Sequence, residues 1–452
     1  MTFITRSVII AVSLCTLGAE CEAQSTLLDN AQHRSVSVPV NDVVYDPIRD
    51  VLYASIPSTA GAPHGNSIAT IDPATGNVLD SIFVGSEPNA LAISDDASRV
   101  YVSVDGARSM RWWQPADDQL GALRPLVSQV SGQAVAYDLA VPPGRPNVVV
   151  VSVDAVSSTA SGELEVFSDT GSMRAAGVFH DANFIGFINS TTMLSFDDSN
   201  TGFRGKVWQL DDLTLTSVHS KGTVVSNFDV EAEVGSDGLM YFTDGTVVEG
   251  SMLNPVGTYT TGLSRPDVLV QPVPELDLTY FVGPVTATSA NTTLKVFNSQ
   301  NFLEIDSVTF PIAGSSAQDR GELIIAGQNR LAFVWKPQVF AGPGGSGTLH
   351  LVSGIPVELP SEPVLEGDFN GDGSVDAADY TVWRAGLGTT FDDEHYLVWR
   401  NNFGATSGAV GSGTANAESS TVPEPGSAVL FGLAAFGLTL FLQRRCLQVG
   451  RA

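Results

Sequence analysis

A short apolar strand pattern returns along this chain at a nearly fixed interval, and that recurrence constrains the fold more than any other feature. The segments VLYASI (51–56), VYVSV (100–104), VVVVSV (148–153), MLSF (193–196), LMYF (239–242), LTYF (278–281) and LAFVW (331–335) each follow a turn rich in Asp, Gly, Pro or Asn. With Leu52, Val100, Val148, Met193, Leu239, Leu278 and Leu331 as markers, the spacings are 48, 48, 45, 46, 39 and 53 residues. A unit of about forty-five residues that holds several strands is a propeller blade, so seven markers predict seven blades. Companion strands fit the same unit: SIATID (67–72), the turn Pro73-Ala74-Thr75-Gly76 and NVLDSIFV (77–84) in the first blade, then ELEVF (163–167), KVWQL (206–210), LKVF (294–297) and LHLV (349–352). Ser35–Val40 is expected to supply the strand that closes the ring, which removes exposed sheet edges. The fold class is therefore mainly β, with a seven-bladed β-propeller over residues 35–358. A pair of β-sandwiches is the alternative.

Composition sets the function classes. A chain of 452 residues holds two or three folded units, and 43% hydrophobic with 16% charged residues is the make-up of a folded protein. Forty-nine acidic against 22 basic residues leave a formal net charge of -27. That field repels phosphate backbones and anionic lipid, which excludes nucleic acid as a partner. The three cysteines are Cys15, Cys21 and Cys446, so the body from Gln24 to Arg445 has none. A disulfide framework, a cysteine nucleophile and a zinc–cysteine site are excluded with them.

The stretch IDPATGNVLDSIFVGSEPNALAISDDASRVYVSV (71–104) resembles the YVTN/lactonase-like propellers, a likeness that covers the first two blades. It raises one enzymatic alternative, a lactonase-like or polysaccharide-degrading hydrolase with carboxylates at the channel mouth. The residues themselves show no catalytic motif. His33, His64, His180, His219, His350 and His395 are dispersed, and HExxH, GxSxG and Walker-type patterns are absent. Ser94-Asp95-Asp96 and Phe196-Asp197-Asp198 read as turns, and Trp112 and Trp113 as core between blades. No catalytic residue is assigned, and the acids are expected to be spread through turns. A convergent carboxylate cluster at the channel mouth would favour the hydrolase.

Residues 368–379, DFNGDGSVDAAD, have the pattern of a twelve-residue calcium loop. A hard cation takes six to eight oxygens, supplied here by Asp368, Asn370, Asp372, the Ser374 carbonyl, Asp376 and Asp379. Gly373 sits at the sharp turn, and Val375 is the apolar residue that pins the loop. Beyond it, ADYTVWRAGLG (378–388) recurs as EHYLVWRNNFG (394–404), which predicts two short helices packed on each other. The Asp closure and this duplication resemble a type I dockerin, a small α-helical module here covering residues 367–404. The resemblance implies calcium as cofactor and a cohesin-like protein as partner. The second loop has shrunk to Thr389–Glu394, whose acids are expected to cap the second helix.

Both ends read as addresses. Residues 1–23 have Arg6, an apolar stretch from Val8 to Ala19 and small residues before Ala23, as a signal peptide does; lipidation at Cys21 is the weaker alternative. At the other end, Pro423-Glu424-Pro425 precede an apolar run from Ala428 to Leu442 and then Arg444 and Arg445. The run is just long enough for a transmembrane helix with a cytoplasmic C-terminus. This segment, residues 422–446, resembles the PEP-CTERM sorting signal, which implies an exosortase-like membrane protease as partner; a plain anchor is the alternative. A Pro-rich linker (359–366) and a flexible Gly/Ser-rich linker (405–421) join the parts. The whole reads as an exported cell-envelope or extracellular binding and display protein, with extracellular polysaccharide as a candidate ligand.

Overall fold

In a computed structural model the described residues are 27–129, 132–155, 163–175, 182–197, 201–313, 319–337, 346–357, 367, 369–370, 374–387, 391 and 393–404. The chain divides into two compact units, Met1–Pro360 and Ser361–Ala452.

The first unit is built from seven antiparallel sheets, each a meander of strands consecutive in sequence except the one that closes the ring and blade 2, where Gln119–Leu120 and Arg124–Pro125 both pair with Ser109–Gln114. Blade 1 spans Asp42–Phe83, blade 2 Pro88–Pro125, blade 3 Ala134–Arg174, blade 4 Phe184–Lys221, blade 5 Ala232–Thr258 and blade 6 Leu269–Phe310. Blade 7 combines Asp319–Ile325, Arg330–Pro337 and Gly347–Ser353 with the N-terminal strand Gln32–Val40. All seven sequence markers fall on the second strand of their blade. The expected closing strand is present, pairing antiparallel with Gly347–Ser353 through contacts such as Arg34 with Leu351 and Val40 with Gly347. Seven separate sheets of four or five strands are incompatible with two sandwiches.

The markers lie where they do because the second strand is apolar on both sides. Val51–Ile56 and Val100–Val104 are almost wholly buried, whereas the outer strand Val78–Phe83 is not. Each blade thus presents one apolar face to each neighbour. The buried apolar residues gather into seven clusters, one per blade interface. Tyr53 and Ile68 of blade 1 pack with Val102 and Trp113 of blade 2, and Val43 and Leu52 of blade 1 pack with Val334 and Leu349 of blade 7. Close approach matters too: a Cβ on Gly186 of blade 4 would lie 2.6 Å from a methyl of Val234 in blade 5.

Polar contacts fix register within this apolar ring. Asp46 accepts hydrogen bonds from the Ile48 and Arg49 amides at 2.9 and 3.0 Å and from the Tyr53 hydroxyl at 2.9 Å. Blade 5 repeats the lock, with the Tyr241 hydroxyl donating to Asp237 at 2.7 Å. Between blades, Asp42 accepts from the Leu91 amide of blade 2, and Asp138 of blade 3 accepts from the Ile185 amide of blade 4, each at 2.8 Å. These carboxylates rivet neighbouring inner strands, since a buried amide left unpaired costs about 1–3 kcal/mol.

The second unit contains two helices, α1 (Ala377–Gly386) and α2 (Asp393–Asn402). The duplicated aromatic pattern produces reciprocal contacts: Tyr380 meets Trp399 at 5.3 Å and Trp383 meets Tyr396 at 5.1 Å. Among the described residues no helix is long and apolar enough to cross a membrane. The expected span at 428–442 lies outside them, as do the signal segment 1–23 and both linkers.

A histidine pair sits on the ring closure. His33 of the closing strand and His350 of its partner share a hydrogen bond, Nε2 to Nδ1, at 2.9 Å, and the His350 ring stacks on Phe333 at 4.9 Å. Burial, then the neighbouring His33, pushes His350 down to about 4 from 6.5. The folded ring holds this imidazole neutral while the unfolded chain protonates it. Its contribution to stability is therefore present above pH 6.5 and lost as the pH falls toward 4. The melting midpoint is expected to drop over that window by the equivalent of about 3 kcal/mol. His350→Phe should remove this part of the drop, as read by calorimetry of both proteins from neutral to acid pH.

Candidate functional site

The innermost strands of the seven blades surround a central cavity of about 350 Å³. Its wall is mostly Ala, Val, Leu, Ile and aromatic side chains, with Tyr137 and Phe184 in an edge-on contact at 5.5 Å. Into this wall the blades bring five carboxylates: Asp42 from blade 1, Asp138 from blade 3, Glu231 and Glu233 from blade 5, and Glu322 from blade 7. No Lys, Arg or His lines the cavity among the described residues.

The five are not equivalent. Asp42 and Asp138 each accept two backbone amides, their own neighbour's and one from the next blade, at 2.7–2.8 Å. Such bonds favour the charged form. Glu322 has no side-chain hydrogen bond among the described residues, and its carboxyl is held well above the usual range. Burial is the first cause, followed by repulsion from Asp42, Glu233, Asp138 and Glu231. Glu233 is pushed up to about 8 by burial, then by Asp138, with the Val234 amide easing it slightly. Both shifts disfavour the charged carboxylate, most strongly through burial.

This convergence corrects one expectation. The acids are not confined to turns, because the inner strand of each blade faces a common axis and residues up to 280 positions apart (Asp42 and Glu322) share one wall. A signal was available: Asp42 and Asp138 each lie ten residues ahead of their second-strand markers, Leu52 and Val148. The turn reading of Ser94-Asp95-Asp96 agrees with the structure, where Asp96 accepts from the Ser94 hydroxyl and the Ser98 amide. Trp113 is core, edge-on to Tyr53 at 4.9 Å. Trp112 is only half-buried, but the Arg99 guanidinium lies 4.5 Å over its ring, and Asp169 holds Arg99 in a two-pronged ion pair.

Of the loop residues read as calcium ligands, Asn370, Ser374, Asp376 and Asp379 are described, and Asp368 and Asp372 lie outside the described residues. Asp376 is the N-cap of α1, accepting from the Ala378 amide at 2.7 Å, and Asp379 answers it by accepting from the Asp376 amide at 2.8 Å. Asp379 is fully buried, and its other oxygen takes the amides of Phe369 and Asn370 at 2.8 and 3.1 Å. The last loop position is thus drawn back onto the first turn of the loop. The Trp399 indole donates to the Asp376 carbonyl at 2.7 Å, which fixes α2 against the loop. Val375 is buried, as the pinning role requires.

Residues 421–445 match the PEP-CTERM protein-sorting motif; Pro423, Glu424, Pro425, Arg444 and Arg445 lie within the match and outside the described residues. No curated protein matches the chain. Among solved structures it is similar to U3-55K, at 12% identity over 71% of this chain and 98% of that one, with a TM-score of 0.48. The RRP9 WD40 repeats give 12% identity, 73% and 99% coverage and 0.48. The β-propeller domain of Myceliophteria thermophila Cps50 (Swd1) gives 11%, 71% and 98%, and 0.49. At these values the likeness carries no argument about function, and the propeller assignment rests on the strand pairing above. Fold and motif together define a class, a β-propeller protein exported and sorted to the cell surface through exosortase recognition of its C-terminal motif.

Relieving the repulsion in the channel should stabilise the ring. Glu322→Gln keeps the shape and removes a group whose raised value costs stability as the pH climbs above 4.5, where the unfolded chain ionises and the folded one does not. The variant is expected to be more stable than the parent at neutral pH, with the difference vanishing near pH 4. Denaturant unfolding of both proteins at the two pH values checks it.

Proposed function

We propose that the protein is a surface-displayed binding protein: the propeller presents its central channel to a ligand, and the second unit is a calcium-stabilised, dockerin-like attachment module. The observation that carries the reading is the PEP-CTERM match at residues 421–445 in a chain whose largest unit is a propeller. An exported scaffold of this kind fits a role in binding or display. Its tail is read as an address, cut near Pro423-Glu424-Pro425 after membrane insertion, and not as a permanent anchor. Mass spectrometry of the mature protein from its own host is expected to place the C-terminus near these residues. Intact peptides from Phe441 to Ala452 in the surface fraction would reduce the segment to a plain anchor.

The calcium reading is supported by the donor set of the loop and by the buried Asp379, which ties the loop's end to its beginning. Asp368, Asn370, Asp372, the Ser374 carbonyl, Asp376 and Asp379 would hold the ion, and calcium would supply the charge that lets these carboxylates sit together. The helix pair would then offer one face to a cohesin-like protein. Calorimetric titration of the full chain should give one calcium site. Asp368→Ala should weaken it by about tenfold or more, since water replaces a charged ligand poorly. A stoichiometry of two would show that the shortened second loop also binds.

A second reading is favoured by one observation, the channel carboxylates. Glu322, whose carboxyl is held well above the usual range by burial, shares the wall with Asp42 and Asp138, the make-up of an acid–base set and the mark of the hydrolase alternative. We place it second because both aspartates are occupied by backbone amides that rivet the blades.

A further inference from the structure

We infer that the central channel is a binding site for a small organic cation, an alkylammonium group on an apolar stem, held by Glu322 and Glu233. This rests on the reading of the propeller as the binding unit and names the ligand class for it. Three observations meet in the channel. A cavity of about 350 Å³ is of the size that takes small-molecule ligands, roughly 300–1,000 Å³. Its polar groups are overwhelmingly of one sign, with five carboxylates and no base among the described residues. One of the five, Glu322, is enclosed at the wall with no hydrogen-bond partner there, in a protein where buried carboxylates such as Asp42, Asp46 and Asp138 are all bonded.

An unpartnered carboxyl in a low-dielectric cavity, facing four others, is destabilising unless a cation completes it. The raised values of Glu233 and Glu322 are the same fact seen from the proton's side: without another cation, protons serve. The arrangement points away from a bare metal ion. Calcium needs six to eight oxygens at about 2.3–2.6 Å, but these carboxylates come from four blades around the ring. Among the described residues no three acidic, histidine or cysteine side chains form a group that could hold a metal. Carboxylates carried on four separate blades suit a ligand whose ammonium groups are separated by methylenes. The Tyr137–Phe184 pair adds aromatic faces and edges of the kind that attract alkylammonium groups. Free polyamines and a lysine-type side chain of a partner share this chemistry.

The test is calorimetric titration of the full chain, saturated with calcium so that the loop is silent. Cadaverine and spermidine are the probes, pentanediol is the uncharged control, and an acetylated lysine amide and its free-amine form distinguish a peptide source from a free polyamine. Cadaverine is expected to bind at one site and pentanediol not at all. Glu322→Gln and Glu233→Gln should each weaken the diamine by about tenfold, or about 1.4 kcal/mol. Both variants remove repulsion, so their folding is checked by circular dichroism and is expected to be intact. Absence of diamine binding, equal binding of pentanediol, or binding unchanged in both variants would overturn the assignment. So would magnesium, added in excess, binding at the channel in place of the diamine. Failure here leaves the C-terminal processing and the loop's calcium stoichiometry as they were, so the two readings fail separately.

Discussion

The pairing of Gln32–Val40 with Gly347–Ser353 is the interaction on which the rest of the first unit depends. A meander of blades would otherwise end in two apolar faces, that of blade 1 and that of blade 7, and in unpaired strand edges open to association. Closing the last blade with the first strand buries Val36 and Val40 against Leu349 and Leu351 and turns six interfaces into seven. It also joins residues more than 300 positions apart, so the ring is locked by a contact of high sequence separation. Such contacts reward the chain only after most of the loop entropy has been lost. The histidine pair on this seam ties closure to the protonation of two imidazoles.

Closure creates the channel, and the channel sets the protein's main electrostatic problem. Seven inner strands lean on a common axis, so any acidic residue carried on them faces its counterparts across the cavity. Asp42 and Asp138 are turned to use, each stitching its blade to the next through an amide bond. Glu322 and Glu233 have no such work and sit at raised values under burial and mutual repulsion. A ring tolerating that cost at its centre is one in which the seven apolar interfaces supply most of the stability. It is also where a ligand of opposite charge gains most, because solvent screens it least.

The second unit solves a different problem, that of a small module with little core. Two ten-residue helices bury Trp383 and Trp399 and meet through reciprocal Tyr–Trp contacts, and the loop ahead of α1 is knitted by the Asp376–Asp379 capping box. On the proposed reading of the loop as a calcium site, metal binding and folding of so short a module would become one event.

Much of this was legible in the sequence because blade identity is local. An apolar second strand after a polar turn can be read from a few neighbouring residues, so the seven markers, the third strands and the closing strand all lay in plain view. The duplicated YxxWR pattern foretold a helix pair for the same reason, and the sorting motif is a linear address by nature. The channel was not legible. Asp42, Asp138, Glu231, Glu233 and Glu322 look like unrelated acids in a strongly acidic chain, and single inner-strand positions carry no local signature. Only ring closure brings them to one wall, where distance through space replaces distance along the chain and burial raises Glu322 and Glu233 far above their ordinary values. The sequence by itself determined how many blades form and how the chain is addressed; the tertiary structure decided what faces the axis, because a shared cavity is a property of seven strands together and of none alone.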